Sequence, residues 1–554
     1  MRRLRFAAAL AALLALTGCA TIPQNSPVRV GPDVTSGLNS DEVYYSQTGP
    51  YEGASQEAVL SGFLNSGNGP QNDYAVAREY LTKSFATKWQ PNEEVLIQEG
   101  TPEIYKVTER EYRVTVGVTA SIDADGRYSD LPAGSTRTST FKFVLVGGQW
   151  RISEAPNKTL VISPNFRVLF RAYSLYFFDP SLSYLVPEVR WFPSRASTGT
   201  RLLNALLKGP SDWLKPAVVN VIPAGTRLNI NSVTVVNGVA QVDLSSAALR
   251  VPDARRPQMK AQISATLEQL VDVTSVEISI ERTPQQISNF ADGLPPVPGT
   301  SPIALTSTGL VRLNLSGAQA ISGTEPKVGR LRPTDFAISH QESHVALLNA
   351  SGVYLFDLQE FNDQGRLIDG RPNQLAPSFD PQGALWTLTA AARSPFVVTG
   401  NERTVLRNNW VPDGVPLSFS VSGEGARVAV VYQVGETRLT YVYPIERDRK
   451  ARVIALGEPL RVTSAPDNVS TVSWADSTTL ALLAPSAQGG FIPCLVTVGG
   501  RLTVARSIEA AKSVVVNGTG QMFVLQPNGN VVQARGSSWS TIAQSVLAMH
   551  LAGN

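Results

Sequence analysis

The chain has 554 residues, 43% of them hydrophobic and 17% charged, and a net charge of +3 at pH 7. A chain of this length exceeds a single hydrophobic core, so it predicts several domains. Arg2, Arg3 and Arg5 carry the whole positive surplus, and the side chains beyond them are neutral in sum. This balance argues against nucleic acid as a partner, because its binders need a basic face.

The N-terminus has the parts of an export signal. Its arginines precede an apolar run over residues 6–16, which is too short to span a membrane as a helix. The run ends in Leu16-Thr17-Gly18-Cys19, the Leu-x-Gly-Cys pattern of a bacterial lipobox. A plain signal peptide with a chance cysteine is the alternative.

We therefore predict that residues 1–18 are a lipoprotein signal peptide and that Cys19 is the lipid attachment site, an N-palmitoyl, S-diacylglycerol cysteine. Two or more acyl chains on one residue are enough for stable anchoring. The predicted location is the extracytoplasmic face of the cell membrane, with the lipid as the membrane contact. Residues 19–40 are rich in Pro, Gly, Ser, Asn and Thr, which indicates a flexible tether.

Residues 41–160 predict an α+β domain. Helical spacing over 41–98 is followed by alternating strands, with turns at Asp125-Gly126 and Gly147-Gly148. Helices followed by a curled antiparallel sheet are typical of the cone-shaped NTF2-like fold. The inward positions carry Val, Phe and Tyr, so we expect a packed cone and not a cavity that holds an acid/base pair.

Residues 161–285 predict a second α+β domain. Arg171–Phe178 and Leu185–Phe192 form one hairpin, and Asn237-Gly238 is the turn of another. An amphipathic helix is predicted over Gln258–Val271. Residues 286–301 are rich in proline and read as a linker between domains.

Residues 302–554 predict an all-β domain built from repeats. A strand, a polar turn and a second strand recur every 40–53 residues or so, close to the blade period of a β-propeller. The length predicts six or seven blades, whereas a stack of sandwich domains would show no fixed long period. We expect a last strand near Val546–His550 to complete the blade begun by Ile303–Leu305 and so close the ring.

Candidate chemical groups are few. His340 and His344 have the spacing of a helical metal pair, but they lie in a strand–turn–strand context. His550 has no obvious acid or base partner in the sequence, so a Ser-His-Asp triad has no specific support. Asp123-x-Asp125-Gly126 resembles the start of a calcium loop, yet it lacks the remaining ligands and favours a hairpin turn.

Cys494 lies on an apolar strand and reads as a buried small hydrophobic residue. We therefore predict that the chain is not an enzyme and that it has no catalytic, cofactor-binding or metal-binding residues.

Several stretches resemble the actinobacterial LpqB lipoprotein family, and the second α+β domain resembles the GerMN domain of sporulation and germination proteins. The LpqB-like stretches are Gly53-Ala54-Ser55, Gly62-Phe63-Leu64, Asp73–Thr82, Leu175–Asp179 and Trp474–Leu480. The GerMN-like stretches are Leu206–Pro210 and Val242–Ser245. The resemblance covers nearly the whole chain beyond the signal peptide and implies an N-terminal domain, a GerMN domain and a β-propeller.

The resemblance also implies a non-enzymatic role beside a two-component system, in which the lipoprotein contacts the extracellular domain of an MtrB-like sensor kinase in cell-wall homeostasis and division. It supplies no catalytic residues. A propeller that binds cell-wall carbohydrate or peptide is the alternative, and it predicts a channel mouth lined with Trp or Tyr and a few polar groups. A hydrolase is a third possibility, for which the sequence nominates no carboxylate pair.

Overall fold

The computed structural model describes residues 47–552, except for 196, 291–292, 294–298, 315–316, 361, 392–393, 407–410, 412, 449, 537 and the side chain of Gln71. The predicted signal peptide, Cys19 and the tether of residues 19–40 lie outside the described residues, as does part of the predicted linker. Among the described residues, no helix combines the length and apolar character that a membrane span requires.

The N-terminal domain begins with helices that pack on a sheet. Ser55 caps the first helix by accepting a hydrogen bond from the Ala58 N–H, as expected for a serine at this position. The helices are α1 (Gln56–Ser66), α2 (Ala75–Glu79) and α3 (Lys83–Ala86). The strands are β1 (Glu94–Thr108), β2 (Glu111–Asp123), β3 (Tyr128–Asp130), β4 (Thr136–Val146), β5 (Gln149–Glu154) and β6 (Thr159–Ile162).

The sheet order is β5-β4-β2-β1-β6, with β3 beside β2. The predicted helical region over 41–98 was too long, because β1 already begins at Glu94. Its consecutive apolar residues Val95, Leu96 and Ile97 are all buried, which suits a strand covered on both faces. In the core, the rings of Phe63 and Trp89 lie 5.1 Å apart. A cavity of about 20 Å³ remains beside them, so the cone is packed as expected.

The second domain contains two short sheets and the helices that pack against them. The predicted hairpin is β7 (Phe170–Phe178) paired with β8 (Leu185–Pro193), and Asn237-Gly238 joins β9 to β10 as expected. The remaining strands are β9 (Thr234–Val236), β10 (Val239–Leu244), β11 (Ser275–Ile280) and β12 (Thr283–Pro284), in the order β12-β11-β10-β9. The helices are α4 (Ser163–Leu169), α5 (Thr198–Lys208) and α6 (Arg256–Leu267).

Helix α6 connects the parallel strands β10 and β11 and packs its apolar side against β7 and β11. The predicted linker is attached to this domain at two described points. The ring of Phe290 lies 5.5 Å from that of Phe178, and the Leu185 N–H donates to the Gly293 carbonyl at 2.7 Å. Both contacts tie the linker to the hairpin of β7 and β8.

The third domain is a β-propeller. Among the described residues it has six sheets, five with four strands and one with five, which agrees with the lower predicted blade number. Blade 1 contains β13 (Ile303–Leu305), β14 (Leu310–Asn314), β15 (Gly317–Ala320) and β37 (Ala548–His550), and helix α7 (Glu325–Leu331) follows it. Blade 2 contains β16 (Asp335–Ile338), β17 (His344–Asn349), β18 (Gly352–Asp357) and β19 (Arg366–Asp369).

The other blades follow the same pattern. Blade 3 contains β20 (Ser378–Phe379), β21 (Leu385–Thr387), β22 (Phe396–Thr399) and β23 (Glu402–Val405). Blade 4 contains β24 (Val415–Val421), β25 (Arg427–Val434), β26 (Thr437–Arg447), β27 (Val453–Leu456) and the short β28 (Leu460–Arg461). Blade 5 contains β29 (Val472–Trp474), β30 (Thr479–Pro485), β31 (Phe491–Thr497) and β32 (Leu502–Val504). Blade 6 contains β33 (Ser513–Val516), β34 (Met522–Leu525), β35 (Val531–Arg535) and β36 (Ser538–Ala543).

The ring closes as the sequence predicts. Strand β37, close to the C-terminus, pairs antiparallel with β13, through Ile303 with His550 and Leu305 with Ala548. Blade 1 therefore takes strands from both ends of the domain. This closure satisfies the inner edge of β13, which would otherwise be open to pairing with other chains.

Candidate functional site

A cavity of about 190 Å³ lies on the axis of the propeller. The innermost strand of every blade contributes to its walls. The lining is rich in hydroxyl groups, and its described residues include no Trp or Tyr, unlike the mouth expected for a carbohydrate binder. The hydroxyl-bearing residues are Ser378, Ser418, Ser420, Thr471, Ser473 and Ser513.

Three of these serines join neighbouring blades. The Ser378 hydroxyl accepts from the Val421 N–H at 3.2 Å, and the Ser418 hydroxyl accepts from the Val472 N–H at 3.1 Å. The Ser473 hydroxyl donates to the Val514 carbonyl at 3.1 Å. Small polar side chains thus satisfy backbone groups that the inner strands turn toward the next blade.

A charged group lies beside the cavity where the ring closes. Nε2 of His550 lies 2.6 Å from Oδ1 of Asp335, and the imidazole packs edge-on against Phe336 at 5.1 Å. His550, for which the sequence shows no obvious acid or base partner, therefore has one in Asp335. The two residues are 215 positions apart and meet only because β37 closes the ring beside β16. Among the described residues, no serine hydroxyl bonds His550, so a Ser-His-Asp triad is not assembled there.

The second domain is joined to the propeller through Arg427, which also forms a buried ion pair within its own blade. Arg427 and Glu424 are 2% and 0% exposed, and their charged atoms lie 2.6 Å apart. The Arg427 guanidinium also donates to the Pro187 carbonyl of β8 at 3.3 Å and to the Ser477 carbonyl of blade 5. One side chain thus connects two blades with the second domain, and neighbouring Ala426 packs into that domain's core.

The N-terminal domain is joined to the second domain through the turn at Asp125-Gly126. The backbone N–H of Trp191 donates to the Gly126 carbonyl at 2.7 Å, and Lys208 forms an ion pair with Asp125. Gly126 has a φ of +81°, and a Cβ placed on it would lie 2.9 Å from Cζ of Phe192. The turn that resembled a calcium loop is therefore a hairpin turn, as expected, and its function in the fold is to join two domains.

Trp191 brings all three domains together. Its ring lies 5.2 Å from Phe166 and 5.7 Å from Tyr128, and its indole N–H donates to the Gly499 carbonyl of blade 5 at 3.1 Å. Arg501 of the same blade lies 5.8 Å from the Phe166 ring centroid. Aromatic rings supply large contact area with little loss of rotamer freedom, so such a cluster stabilises a fixed domain arrangement.

The three domains match three family descriptions in the same order. Residues 49–167 match "Lipoprotein LpqB, N-terminal domain", residues 174–286 match "Sporulation and spore germination", and residues 308–548 match "Lipoprotein LpqB beta-propeller domain". The chain belongs to the LpqB lipoprotein family.

Relatives in the LpqB family align over nearly the whole chain. Lipoprotein LpqB of Thermobifida fusca is 26% identical, covering 97% of this chain and 90% of its own. Lipoprotein LpqB of Cutibacterium acnes is 25% identical, covering 99% of both chains. The solved first GerMN domain of the sporulation protein GerM from Bacillus subtilis is 22% identical, with a TM-score of 0.19, over 22% of this chain and 96% of its own.

In this LpqB-family chain, the two histidines with the spacing of a metal pair lie on either side of a turn. His340 follows β16 and His344 begins β17, so a turn lies between them as expected. No group of three or more metal-binding side chains was found within the described residues. Sequence reasoning missed Arg427, Asp335 and the contact that the predicted turn at Gly126 makes, because nothing in their local sequence marks a partner far along the chain. The one available signal was the Asp123-x-Asp125-Gly126 pattern. It indicates a turn, but it does not show that the turn contacts the second domain.

Cys494 is buried on β31, as predicted, at 1% exposure. Burial raises the pKa of its thiol to about 11, so the reactive thiolate is scarce at pH 8. We expect the native protein to resist iodoacetamide at pH 8 and the urea-unfolded protein to be alkylated at Cys494. Intact-mass spectrometry of a Cys19→Ser chain checks this, since Cys494 is then its only cysteine. Rapid alkylation of the folded chain would contradict the buried position.

Proposed function

We propose that this chain is a lipid-anchored accessory protein on the extracytoplasmic face of the membrane, where it binds the extracellular domain of an MtrB-like sensor kinase and modulates its signalling in cell-wall homeostasis and division. The observation that carries the proposal is the lipobox at Leu16–Cys19 in a chain of the LpqB lipoprotein family. The proposed function is binding and not catalysis.

The contacts between domains support this role. Arg427, Gly126 and Trp191 each contact a neighbouring domain through buried or aromatic groups. A body with such junctions presents surface from several domains in one fixed arrangement. Preorganised surfaces bind with less loss of conformational freedom, so a rigid body suits recognition of a folded extracellular domain.

Crosslinking mass spectrometry on intact cells tests the partner. We expect crosslinks between lysines of the full acylated chain and the extracellular domain of the kinase. Crosslinks within the chain serve as the internal control, for example from Lys208 in the second domain to lysines of the N-terminal domain. If these internal crosslinks form while none reaches the kinase, the proposed partner is wrong.

A Cys19→Ala substitution tests the anchor. We expect the chain to move from the membrane fraction to the soluble fraction and to lose palmitate label, because the diacylglyceryl group is attached to the Cys19 sulfur. Fractionation and metabolic labelling measure both effects. Cys494→Ala is the matched control, since it removes the other cysteine and should leave fraction and label unchanged. A Cys19→Ala chain that stays in the membrane with label would refute the anchor.

A further inference from the structure

The cavity on the propeller axis has polar walls with unused hydrogen-bonding capacity. Each inner strand pairs with one neighbour only, so its other edge, with backbone N–H and C=O groups, faces the axis. Ser420 lines the cavity and is 4% exposed, and its hydroxyl has no hydrogen-bond partner among the described residues. The hydroxyl of Thr471, on the same wall, also has none within that part of the chain. Buried polar groups are normally satisfied, so these walls favour a polar occupant.

Two opposite charges lie at separate places on the cavity wall. Asp335 is bound by His550 through Oδ1, and its Oδ2 accepts no hydrogen bond from the described residues. The Lys512 ammonium donates to the Leu547 carbonyl at 2.6 Å, and it forms no ion pair among the described residues. Leu547 directly precedes β37 and His550 is the last residue of that strand. The ammonium and the carboxylate are therefore held at opposite ends of β37, and each keeps capacity for another partner.

We propose that the axial cavity binds a small free amino acid, whose carboxylate pairs with Lys512 and whose ammonium pairs with Asp335. A zwitterion matches walls that carry a lysine and an aspartate apart from each other. A simple anion would leave Asp335 without a cation, and a simple amine would leave Lys512 without an anion. The volume sets the size of the ligand, because a cavity of about 150 Å³ admits one benzene molecule. A cavity of about 190 Å³ thus has room for glycine, alanine or serine.

The position of the site links binding to closure of the ring. Asp335 begins β16 of blade 2, and His550 belongs to β37, which completes blade 1. The other walls come from the inner strands of the remaining blades, so the site exists only in the closed ring. A ligand that binds only the folded state raises its stability by mass action. The melting temperature therefore reports binding, and it does so without the kinase that the proposed function requires.

The test uses the full mature chain with Cys19→Ser, which cannot be acylated at that position. Isothermal titration calorimetry and melting temperature are measured with glycine, L-alanine and L-serine, and with propionate and ethylamine at equal ionic strength. Propionate is alanine without its ammonium, and ethylamine is alanine without its carboxylate. We expect at least one amino acid to bind and to raise the melting temperature. Both single-charge analogues should bind at least tenfold more weakly, since each loses one charge pair.

Lys512→Gln is the main variant, because Lys512 is exposed and its loss should leave the fold intact. We expect it to weaken the affinity for the amino acid at least tenfold. Lys450→Gln is the matched control, since Lys450 is an exposed lysine on the turn between β26 and β27, outside the cavity lining. Asp335→Asn should weaken binding like Lys512→Gln. Ser420→Ala should weaken binding without lowering the free energy of unfolding, because the hydroxyl that it removes has no partner.

Three results would each overturn the amino-acid site. The first is that no amino acid of the panel binds the parent chain. The second is that propionate or ethylamine binds as tightly as alanine, which would show that the site does not need both charges. The third is that Lys450→Gln loses as much affinity as Lys512→Gln, which would place binding outside the cavity.

Discussion

Replacing Arg427 with methionine is expected to lower the free energy of unfolding by about 3–5 kcal/mol, because it leaves the carboxylate of Glu424 buried without its partner. Glu424 has no exposed surface, and Arg427 also donates to carbonyls of blade 5 and of the second domain. The substitution therefore weakens the propeller and its junction together. Chemical unfolding of the soluble full-length chain, followed by circular dichroism, measures the loss.

Two variants make the Arg427 prediction specific. The double variant Arg427→Met, Glu424→Leu removes both charges and is expected to recover much of the loss, since an apolar pair carries no unpaired charge. Arg452→Met breaks an exposed pair with Asp448 on the same blade and should leave stability nearly unchanged. Equal losses for Arg452→Met and Arg427→Met would show that burial of the ion pair is not the cause.

The substitution Gly126→Ala is expected to separate the N-terminal domain from the second domain. The added Cβ would lie 3.0 Å from the Trp191 carbonyl oxygen as well as close to Phe192, at a backbone φ of +81°. The left-handed backbone costs about 1–2 kcal/mol for a residue with a Cβ, and overpacking adds about 1–3 kcal/mol. Hydrogen exchange at the Trp191 amide, which donates to Gly126, measures the opening.

Gly134→Ala is the matched control for the backbone cost. Gly134 also has a positive φ, +76°, but a Cβ there would meet no atom within 4 Å. Exchange at the Trp191 amide should stay slow in this variant, even if its overall stability falls slightly. Unchanged protection of Trp191 in Gly126→Ala would contradict the proposed junction.

The elements that the sequence predicted well are those with a local cause. Asn237-Gly238 gave the hairpin of β9 and β10 because only such residues adopt the required turn at low cost. The repeat of strand and turn gave the propeller. The start of β1 was missed because Val95, Leu96 and Ile97 form a continuous apolar run, whose period does not separate a helix from a strand covered on both faces.

The candidate site was predicted less completely than the fold. The cavity is lined with hydroxyl groups because the inner strands of separate blades point these side chains toward the propeller axis. No local sequence pattern predicts that orientation.

By itself, the sequence determined the order of the three domains and the closure of the ring, because each depends on neighbouring residues or on a regular repeat. The signal peptide and the lipobox at Cys19 stay predictions from the sequence. Only the tertiary structure decided that Asp335 meets His550 and that Arg427 reaches Pro187, 240 residues away. The reason is physical: such contacts come from the packing of whole blades and domains, whose energy is spread over many residues and marks no single position.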